Sequence, residues 1–173
     1  MKFFSGFSLK NEQYLFDSYI KQSEYTVSGF SYGAIKAFKY VKEQLACGKR
    51  VDTLVLISPA FFQTKSDKFK RVQTLSYSKN QVKYLKQFIS GSFFPHAKLD
   101  LEHTLTTKDE LNELLYFKWD FTELQKLVDK GVIIEVYLGE KDSIIDVKSA
   151  REFFLDTTTV TYIKNANHFL QIK

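Results

Sequence analysis

The pentapeptide Gly29-Phe30-Ser31-Tyr32-Gly33 constrains the fold of this chain more than any other segment. It follows an apolar, strand-like run at residues 24–28 and precedes a helical pattern at residues 32–46. A G-x-S-x-G sequence in that context is typical of a sharp, strained strand-to-helix turn, whose glycines avoid collisions with neighbouring backbone. Such a serine lies at a helix N-terminus, where the helix dipole favours developing negative charge. We therefore predict Ser31 as a nucleophile; the alternative is a glycine-rich turn with an incidental serine.

Strand-like runs and helical patterns alternate along the chain. The runs at residues 53–57 and 132–136 are almost continuously apolar, which is typical of strands buried on both faces of a parallel sheet. Strands are predicted at residues 2–5, 24–28, 52–58, 132–138 and 159–163, and helices at residues 10–21, 32–46, 121–130 and 146–155. Asp146 is the predicted N-cap of the last helix, and Gly48 and Gly131 are predicted C-caps. The alternation predicts an α/β fold with about five mainly parallel strands.

Residues 61–119 interrupt this alternation, because they are far more than a strand–helix–strand crossover requires. Helical patterns within them lie at residues 67–77, 80–89 and 108–116. We predict an α/β core at residues 1–60 and 120–173, and a helical lid insertion at residues 61–119 over the carboxyl edge of the sheet. The many aromatic side chains of the insertion would form a small core of its own, or some of them would line a substrate channel.

The positive charge of the chain is concentrated in the same segment. The whole chain has a net charge of +5, whereas residues 61–100 hold eight lysines or arginines and two aspartates. The eight cations are Lys65, Lys68, Lys70, Arg71, Lys79, Lys83, Lys86 and Lys98. A solvated helix face explains this pattern, and so does a docking patch for an acidic partner. Nucleic acid is a weak candidate, because no nucleic-acid-binding motif accompanies the cations.

Composition excludes several other classes of protein. A single cysteine, Cys47, excludes an internal disulfide framework and a multi-cysteine metal site. No apolar run approaches the roughly 18 residues that a membrane span needs. Asn11 and Glu12 interrupt the N-terminal segment before any apolar stretch long enough for a signal peptide. We therefore expect a soluble, cytoplasmic protein that does not bind membranes.

A serine nucleophile needs a histidine base and an orienting acid, which in this context follow in the order acid, then histidine, after later strands. His168 follows the fifth predicted strand, whereas the other two histidines lie in the insertion. Asp142 follows the fourth predicted strand, and the interval between the two leaves room for one helix and one strand. We predict His168 and Asp142 for these roles, with Glu140 and Asp146 as alternative acids.

The oxyanion hole would use the backbone N–H of Tyr32, the residue after the nucleophile. A second N–H is expected from Phe7, in the glycine-containing loop that follows the first strand. The alternative for that loop is an ordinary connection from strand to helix.

These motifs resemble those of the α/β-hydrolase superfamily, and the whole chain is similar to its short BioV-type pimeloyl-[acyl-carrier protein] methyl ester esterases. The superfamily likeness rests on the G-x-S-x-G turn, Gly139-Glu-Lys-Asp142 and Asn167-His168. The closer likeness rests on the compact length and on Lys2-Phe-Phe-Ser-Gly-Phe7, Val27-Ser-Gly-Phe-Ser31, the Gly-Ala-Ile-Lys36 that follows, Ser58-Pro59 and Ile134-Glu-Val136. Full-length superfamily members have several strands before the nucleophile, whereas one precedes it here.

The resemblance implies a compact α/β-hydrolase with a Ser31–His168–Asp142 triad and an oxyanion hole formed by Phe7 and Tyr32. It implies hydrolysis of the methyl ester of pimeloyl-[acyl-carrier protein] to pimeloyl-[acyl-carrier protein] and methanol in biotin synthesis, without a metal or other cofactor. The implied partner is the acidic carrier protein, and the cations that we expect to dock it are Lys65, Lys68, Lys70 and Arg71, with Lys83 or Lys86 as further candidates.

Two other functions remain open. The same triad serves a general short-chain carboxylesterase or an acyl thioesterase. A non-catalytic module that binds acyl carrier protein would not need an intact triad.

The short N-terminal part also leaves a question of topology. If the first two strands are neighbours, a right-handed crossover places the first predicted helix on the same face of the sheet as the second. Full-length members of the superfamily keep those two helices on opposite faces.

Overall fold

In the computed structural model, which describes residues 1–173, five parallel strands form the central sheet. The strands of this sheet are β1 (Lys2–Phe4), β3 (Thr26–Phe30), β4 (Thr53–Ile57), β6 (Ile133–Gly139) and β7 (Thr159–Ile163). Two further strands, β2 (Leu9–Lys10) and β5 (Glu102–His103), form a separate antiparallel pair. The helices are α1 (Tyr32–Ala46), α2 (Asp67–Lys79), α3 (Gln81–Phe93), α4 (Lys108–Tyr116), α5 (Phe121–Asp129) and α6 (Val147–Leu155). The sheet order is β1-β3-β4-β6-β7, and every neighbouring pair is parallel. This confirms the predicted α/β class and its five strands.

Side chains of the central strands alternate between two apolar layers. Leu54 and Leu56 of β4 belong to the larger layer, which includes residues of α1, α5 and α6. Val55 and Ile57 belong to the smaller layer on the opposite face. Burial on both faces is the physical reason for the continuous apolar run that the sequence shows at this strand.

The predicted helix ends are confirmed at three positions. The Asp146 side chain accepts the backbone N–H of Ser149 and caps α6. Gly48 and Gly131 follow the C-caps of α1 and α5 with φ of 71° and 86°.

The helix predicted at residues 10–21 is wrong, because only Glu12–Phe16 form a short 3₁₀ helix. β2 precedes this turn and pairs with β5 of the insertion, and Asn11 has a left-handed φ of 63°. Phe16 and Ile20 are buried in the smaller layer, and their spacing of four residues produces the helical pattern in the sequence.

The connection from β1 to β3 crosses the sheet on the face opposite to α1. Phe16 contacts Phe3 and Phe30 in the smaller layer, whereas α1 packs in the larger one. The β1–β3 and β3–β4 connections both lead to the next strand in the same direction across the sheet. Because they cross on opposite faces, they have opposite handedness. With α1 in the usual right-handed crossover, the β1–β3 connection is left-handed. The right-handed preference comes from an α-helix packing back onto twisted strands, and this connection contains no α-helix.

Residues 61–119 contain α2, α3, β5 and α4, between β4 and α5. Their aromatic side chains do not form a separate core, because Tyr77, Tyr84 and Trp119 join the larger layer of the sheet. Trp119 also donates its indole N–H to the carbonyl of Ala60, at 2.9 Å. The lid and the sheet therefore share one apolar core. None of the helices is both long and apolar enough to cross a membrane.

Phe16→Ala should lower the free energy of unfolding by about 3–5 kcal/mol, because the ring is fully buried between two others. The matched control is Tyr14→Ala, since Tyr14 lies in the same 3₁₀ helix and is 58% exposed; we expect a change of no more than about 0.5 kcal/mol. Urea unfolding followed by circular dichroism measures both. An equal decrease in the free energy of unfolding for both variants would show that the Phe16 ring does not stabilise the smaller apolar layer.

Candidate active site

Ser31 occupies a strained turn between β3 and α1. Its backbone has φ 55° and ψ −115°, and its N–H donates to the carbonyl of Ile57 on β4, at 2.8 Å. A Cβ on Gly29 would lie 2.2 Å from the carbonyl oxygen of Gly33. A Cβ on Gly33 would lie 1.9 Å from the carbonyl oxygen of Phe4 on β1. Close backbone contact therefore requires both glycines, as the G-x-S-x-G pattern predicts.

The structure brings the three predicted side chains together in one hydrogen-bonded chain. His168 Nε2 lies 2.9 Å from Ser31 Oγ, and His168 Nδ1 lies 2.6 Å from Asp142 Oδ2. All three residues are buried. Because a carboxylate only accepts hydrogen bonds, Nδ1 carries the imidazole hydrogen and Nε2 accepts the O–H of Ser31. The imidazole is thus oriented to take a proton from the serine.

Asp142 is fixed by the loop that follows β6. Its Oδ1 accepts the backbone N–H groups of Ile144 and Ile145, at 2.8 and 3.3 Å. Oδ2 is therefore left for His168. The two alternative acids have other partners. Glu140 accepts a backbone N–H from the loop before the histidine, and Asp146 caps α6.

The loop that carries His168 packs against the end of β6 and against the lid. A Cβ on Gly139 would lie 2.2 Å from the carbonyl oxygen of Asn167, so the approach requires glycine. Asn167 is fully buried and donates its side-chain amide to the carbonyl of Phe93, at the end of α3, at 2.7 Å. Its Oδ1 accepts two backbone N–H groups of its own loop. Asn167 therefore fixes the histidine loop to the lid, a role that sequence reasoning did not assign.

Two backbone N–H groups lie free on the predicted oxyanion-hole residues. Tyr32 is the first residue of α1, so its N–H has no partner within the helix. The N–H of Phe7 donates to no backbone or side-chain acceptor. The two rings are in edge contact, with centroids 6.1 Å apart, so the loop after β1 lies beside the turn that carries the serine. An oxyanion formed at Ser31 can accept hydrogen bonds here.

Solved structures share this architecture. A bromoperoxidase from Bacillus anthracis matches 83% of this chain and 60% of its own, with a TM-score of 0.61 and 14% identity. The esterase EaEST from Exiguobacterium antarcticum matches 83% of this chain and 59% of its own, with a TM-score of 0.58 and 16% identity. The carboxylesterase CesB from Bacillus subtilis matches 91% of this chain and 57% of its own, with a TM-score of 0.54 and 19% identity. The chain has the α/β-hydrolase fold.

This chain spans less than two-thirds of the length of each of these α/β-hydrolase structures. Comparisons with models of protein families and with curated proteins found no match. At such low identity, the likeness establishes the fold, and the function has to be argued from the site.

A buried carboxyl supports the oxyanion loop of this hydrolase fold, and sequence reasoning did not find it. Glu12 is fully buried, and its Oε1 accepts the N–H of Gly6 at 2.7 Å, one residue before Phe7. Burial raises the pKa of Glu12, and the hydrogen bond from Gly6 offsets only part of that effect. Sequence carried no signal for this role, because a glutamate near the start of a predicted helix is typical of a solvated position.

The lid helix α4 is tied to α1 beside the nucleophile. The Tyr32 O–H donates to the carboxylate of Glu113 on α4, and Lys39 of α1 pairs with the same carboxylate. Lys36 and Glu110 form a second pair, at 3.4 Å. Burial by itself would raise the pKa of Glu113, but the hydrogen bonds from Lys39 and Tyr32 outweigh it and hold that pKa below its ordinary value. The residue after the nucleophile is therefore anchored to the lid.

The four predicted docking cations do not share one environment. Lys68 and Arg71 are exposed and Lys65 is half-buried. Lys70 is only 4% exposed, and its ammonium lies over the Tyr116 ring, 5.0 Å from the centroid. This corrects the predicted role of Lys70, which packs between α2 and α4 by burying its aliphatic stem. None of the eight cations of residues 61–100 pairs with a carboxylate.

A cavity of about 330 Å³ lies between the lid and the loop that carries Asp142. Its apolar walls are Phe62, Phe69, Tyr84, Phe88, Leu115 and Ile144. Ile144 donates its backbone N–H to Asp142, and Phe88 contacts Phe7, with centroids 5.9 Å apart. The cavity therefore borders the acid loop, and its wall residue Phe88 contacts the loop after β1. Neither here nor elsewhere do three or more His, Cys, Asp or Glu side chains group as metal ligands.

Glu12→Gln should stabilise the protein increasingly as the pH rises from 5 to 8. In the unfolded chain a glutamate ionises near its ordinary pKa of 4.5, whereas burial opposes ionisation of Glu12 in the fold. Wild-type stability is therefore lost as the pH rises through the raised folded pKa, and glutamine, which keeps an acceptor for Gly6, does not titrate.

The measurement is the difference in Tm between variant and wild type at several pH values, with the exposed Glu152→Gln as control. A difference for Glu12→Gln that stays constant across this range would contradict the prediction.

Proposed function

We propose that this protein is a serine carboxylic-ester hydrolase whose substrate is the methyl ester of pimeloyl-[acyl-carrier protein]. The observation that carries the hydrolase part is the hydrogen-bonded chain of Ser31, His168 and Asp142. The substrate part rests on the sequence resemblance, on the apolar cavity beside the acid loop, and on the unpaired cations of the lid.

In the acylation step, Ser31 Oγ attacks the ester carbonyl carbon while His168 Nε2 takes the hydroxyl proton. The Asp142 carboxylate stabilises the imidazolium that forms. The backbone N–H groups of Phe7 and Tyr32 donate to the tetrahedral oxyanion. His168 then gives the proton to the leaving methoxide, which departs as methanol and leaves the pimeloyl group ester-linked to Ser31.

Water completes the reaction. His168 takes a proton from the water that attacks the acyl-enzyme, and returns it to Ser31 Oγ as the carboxylic acid leaves. The serine is only 3% exposed, so side chains between the cavity and the serine must move to admit the ester. The Phe7–Phe88 contact lies at that boundary.

The apolar side of the cavity suits an acyl chain, and Gln73, Ser76, Gln87 and Ser143 make the rest of its wall polar. Its volume of about 330 Å³ is in the range of small-molecule sites, about 300–1,000 Å³. Each methylene group that its apolar walls remove from water contributes about 0.8 kcal/mol. A chain of methylenes between the scissile ester and the carrier attachment therefore gains affinity here.

A general short-chain carboxylesterase or an acyl thioesterase is the second candidate. The same triad attacks esters and thioesters, and two of the solved structures with this fold are an esterase and a carboxylesterase. This candidate predicts activity on many short esters with no gain from the carrier protein.

Hydrolysis of the carrier-bound methyl ester should fall by about 10⁴-fold in Asp142→Asn and by at least that much in Ser31→Ala. Methanol release from the carrier-bound ester measures this, with Ser90→Ala, an exposed serine on α3, as the control. Full activity in Ser31→Ala would refute the hydrolase mechanism. An equal kcat/KM for short free esters and the carrier-bound ester would favour the second candidate.

Replacing Lys68 and Arg71 together by glutamate should raise KM for the carrier-bound ester by about 10-fold and leave a small free ester unaffected, because reversed charge repels an acidic partner. Lys49→Glu is the control, since Lys49 lies outside the insertion, between α1 and β4, is exposed to solvent and forms no ion pair. Steady-state kinetics on both esters measures the effect. If both esters are affected equally, these cations do not dock the carrier.

A further inference from the structure

A second cavity, of about 370 Å³, adjoins the apolar one at the corner between α2 and α3. Its walls are Ser76, Lys79, Asn80, Lys83, Tyr84 and Gln87. Ser76, Tyr84 and Gln87 also line the apolar cavity, so the two spaces share a wall. We call the two adjoining cavities the groove; its inner end borders the loop of Asp142 and its outer end lies at the α2–α3 corner.

The chemical character of the groove changes along its length. Near the acid loop its walls include Phe88, Leu115 and Ile144. At the outer end Tyr84 is the one hydrophobic wall residue, and two lysines, Lys79 and Lys83, line the space. Gln73, Ser76 and Gln87 supply polar groups between these ends. The groove therefore fits a long ligand with an apolar end, a hydrogen-bonding middle and an anionic end.

The two lysines lack any carboxylate that would neutralise them. Lys79 is the last residue of α2 and Lys83 is in the first turn of α3, and the extended backbone at Asn80 (φ −157°) brings them to one cavity. Neither lysine forms an ion pair in this structure, whereas lysines 36, 39 and 42 of α1 all do. Like charges that face one space repel, and an anion between them removes the repulsion.

We propose that the Lys79–Lys83 cavity binds the phosphate of a phosphopantetheine arm whose acyl end occupies the apolar cavity. This inference rests on the proposed function and adds a phosphate site to it. Lysine ammonium groups bind phosphate as point charges, and the amide groups of the arm meet the polar wall of Gln73, Ser76 and Gln87.

The phosphate cavity is distinct from the docking cations at the start of α2. Lys79 lies eight residues after Arg71 and eleven after Lys68, which is about 12–16 Å along the helix. A carrier protein attached to the phosphate would cover the α2–α3 corner and reach these cations from there.

The test is calorimetric binding to the Ser31→Ala protein, which prevents turnover. The two ligands are the pimeloyl methyl ester thioester-linked to phosphopantetheine and the same compound on pantetheine, which lacks the phosphate. We expect the phosphate to tighten Kd by about 10-fold or more at low salt, and the gain to shrink at 0.5 M salt. Equal Kd values for the two ligands would overturn the site.

Variants locate the effect. Lys79→Gln combined with Lys83→Gln should abolish the preference for the phosphorylated ligand, while Lys86→Gln should keep it, because Lys86 is exposed on α3 and lines neither cavity. A preference that survives the double substitution would place the phosphate elsewhere and overturn the proposal. Thermal unfolding checks that the variants remain folded.

Steady-state hydrolysis of the same two ligands by the wild-type protein separates this proposal from the proposed function. If the methyl ester of both ligands is hydrolysed with equal kcat/KM, the proposed function is supported and the phosphate site is refuted. If the protein prefers phosphorylated ligands with other acyl groups but does not hydrolyse the methyl ester, the phosphate site is supported and the proposed function is refuted. A coenzyme A thioester carries the same phosphopantetheine arm. A higher kcat/KM for the carrier-linked methyl ester than for the same ester on coenzyme A would identify the carrier protein as the molecule that supplies the arm.

Discussion

One close backbone contact sets the geometry of the sheet edge that carries Ser31, Asp142 and His168. The first turn of α1 lies so near β1 that the Phe4 carbonyl leaves no space for a side chain at Gly33. This contact holds the turn of Ser31 beside the loop that follows β1, and that loop supplies Phe7. Interior groups are close-packed, so a shift of either segment would separate Ser31 from the backbone N–H of Phe7. The parallel sheet then brings the loops after β6 and β7 to the same edge, where Asp142 and His168 complete the chain.

The buried polar groups at this edge explain why the lid and the core are one unit. A buried polar group is costly unless it is hydrogen-bonded, so each catalytic loop has a partner outside itself. Asn167 bonds the end of α3, Tyr32 bonds Glu113 of α4, and Gly6 bonds Glu12. Two of these three partners belong to the insertion. The insertion at residues 61–119 therefore positions the loop of His168 and the first turn of α1, and it lines the cavity beside Asp142.

Much of this arrangement follows from short-range patterns. The glycines on either side of Ser31 mark a turn that only glycine permits, and the apolar runs at β4 and β6 predict buried parallel strands. Asp142 and His168 each follow such a strand, so the sheet geometry predicts that they meet at one edge. The predicted helix at residues 10–21 is wrong because the spacing of Phe16 and Ile20 reports burial on one side, which a 3₁₀ turn and a loop provide as well. Lys70 was misassigned because a lysine on a helix shows no sign in sequence of the aromatic ring that covers it.

The sequence by itself determined the fold class, the strained serine turn and the order of the residues that meet it, because turn chemistry and apolar periodicity depend on neighbours a few positions apart. The tertiary structure alone decided the left-handed connection over the smaller layer, the burial of Glu12 and Lys70, and the groove between α2 and α3. The connection and the burial of Lys70 depend on contacts between segments far apart in the chain, such as Leu9 with His103 and Lys70 with Tyr116. Such contacts are selected by the packing of a common core, which leaves no periodic trace in either segment alone.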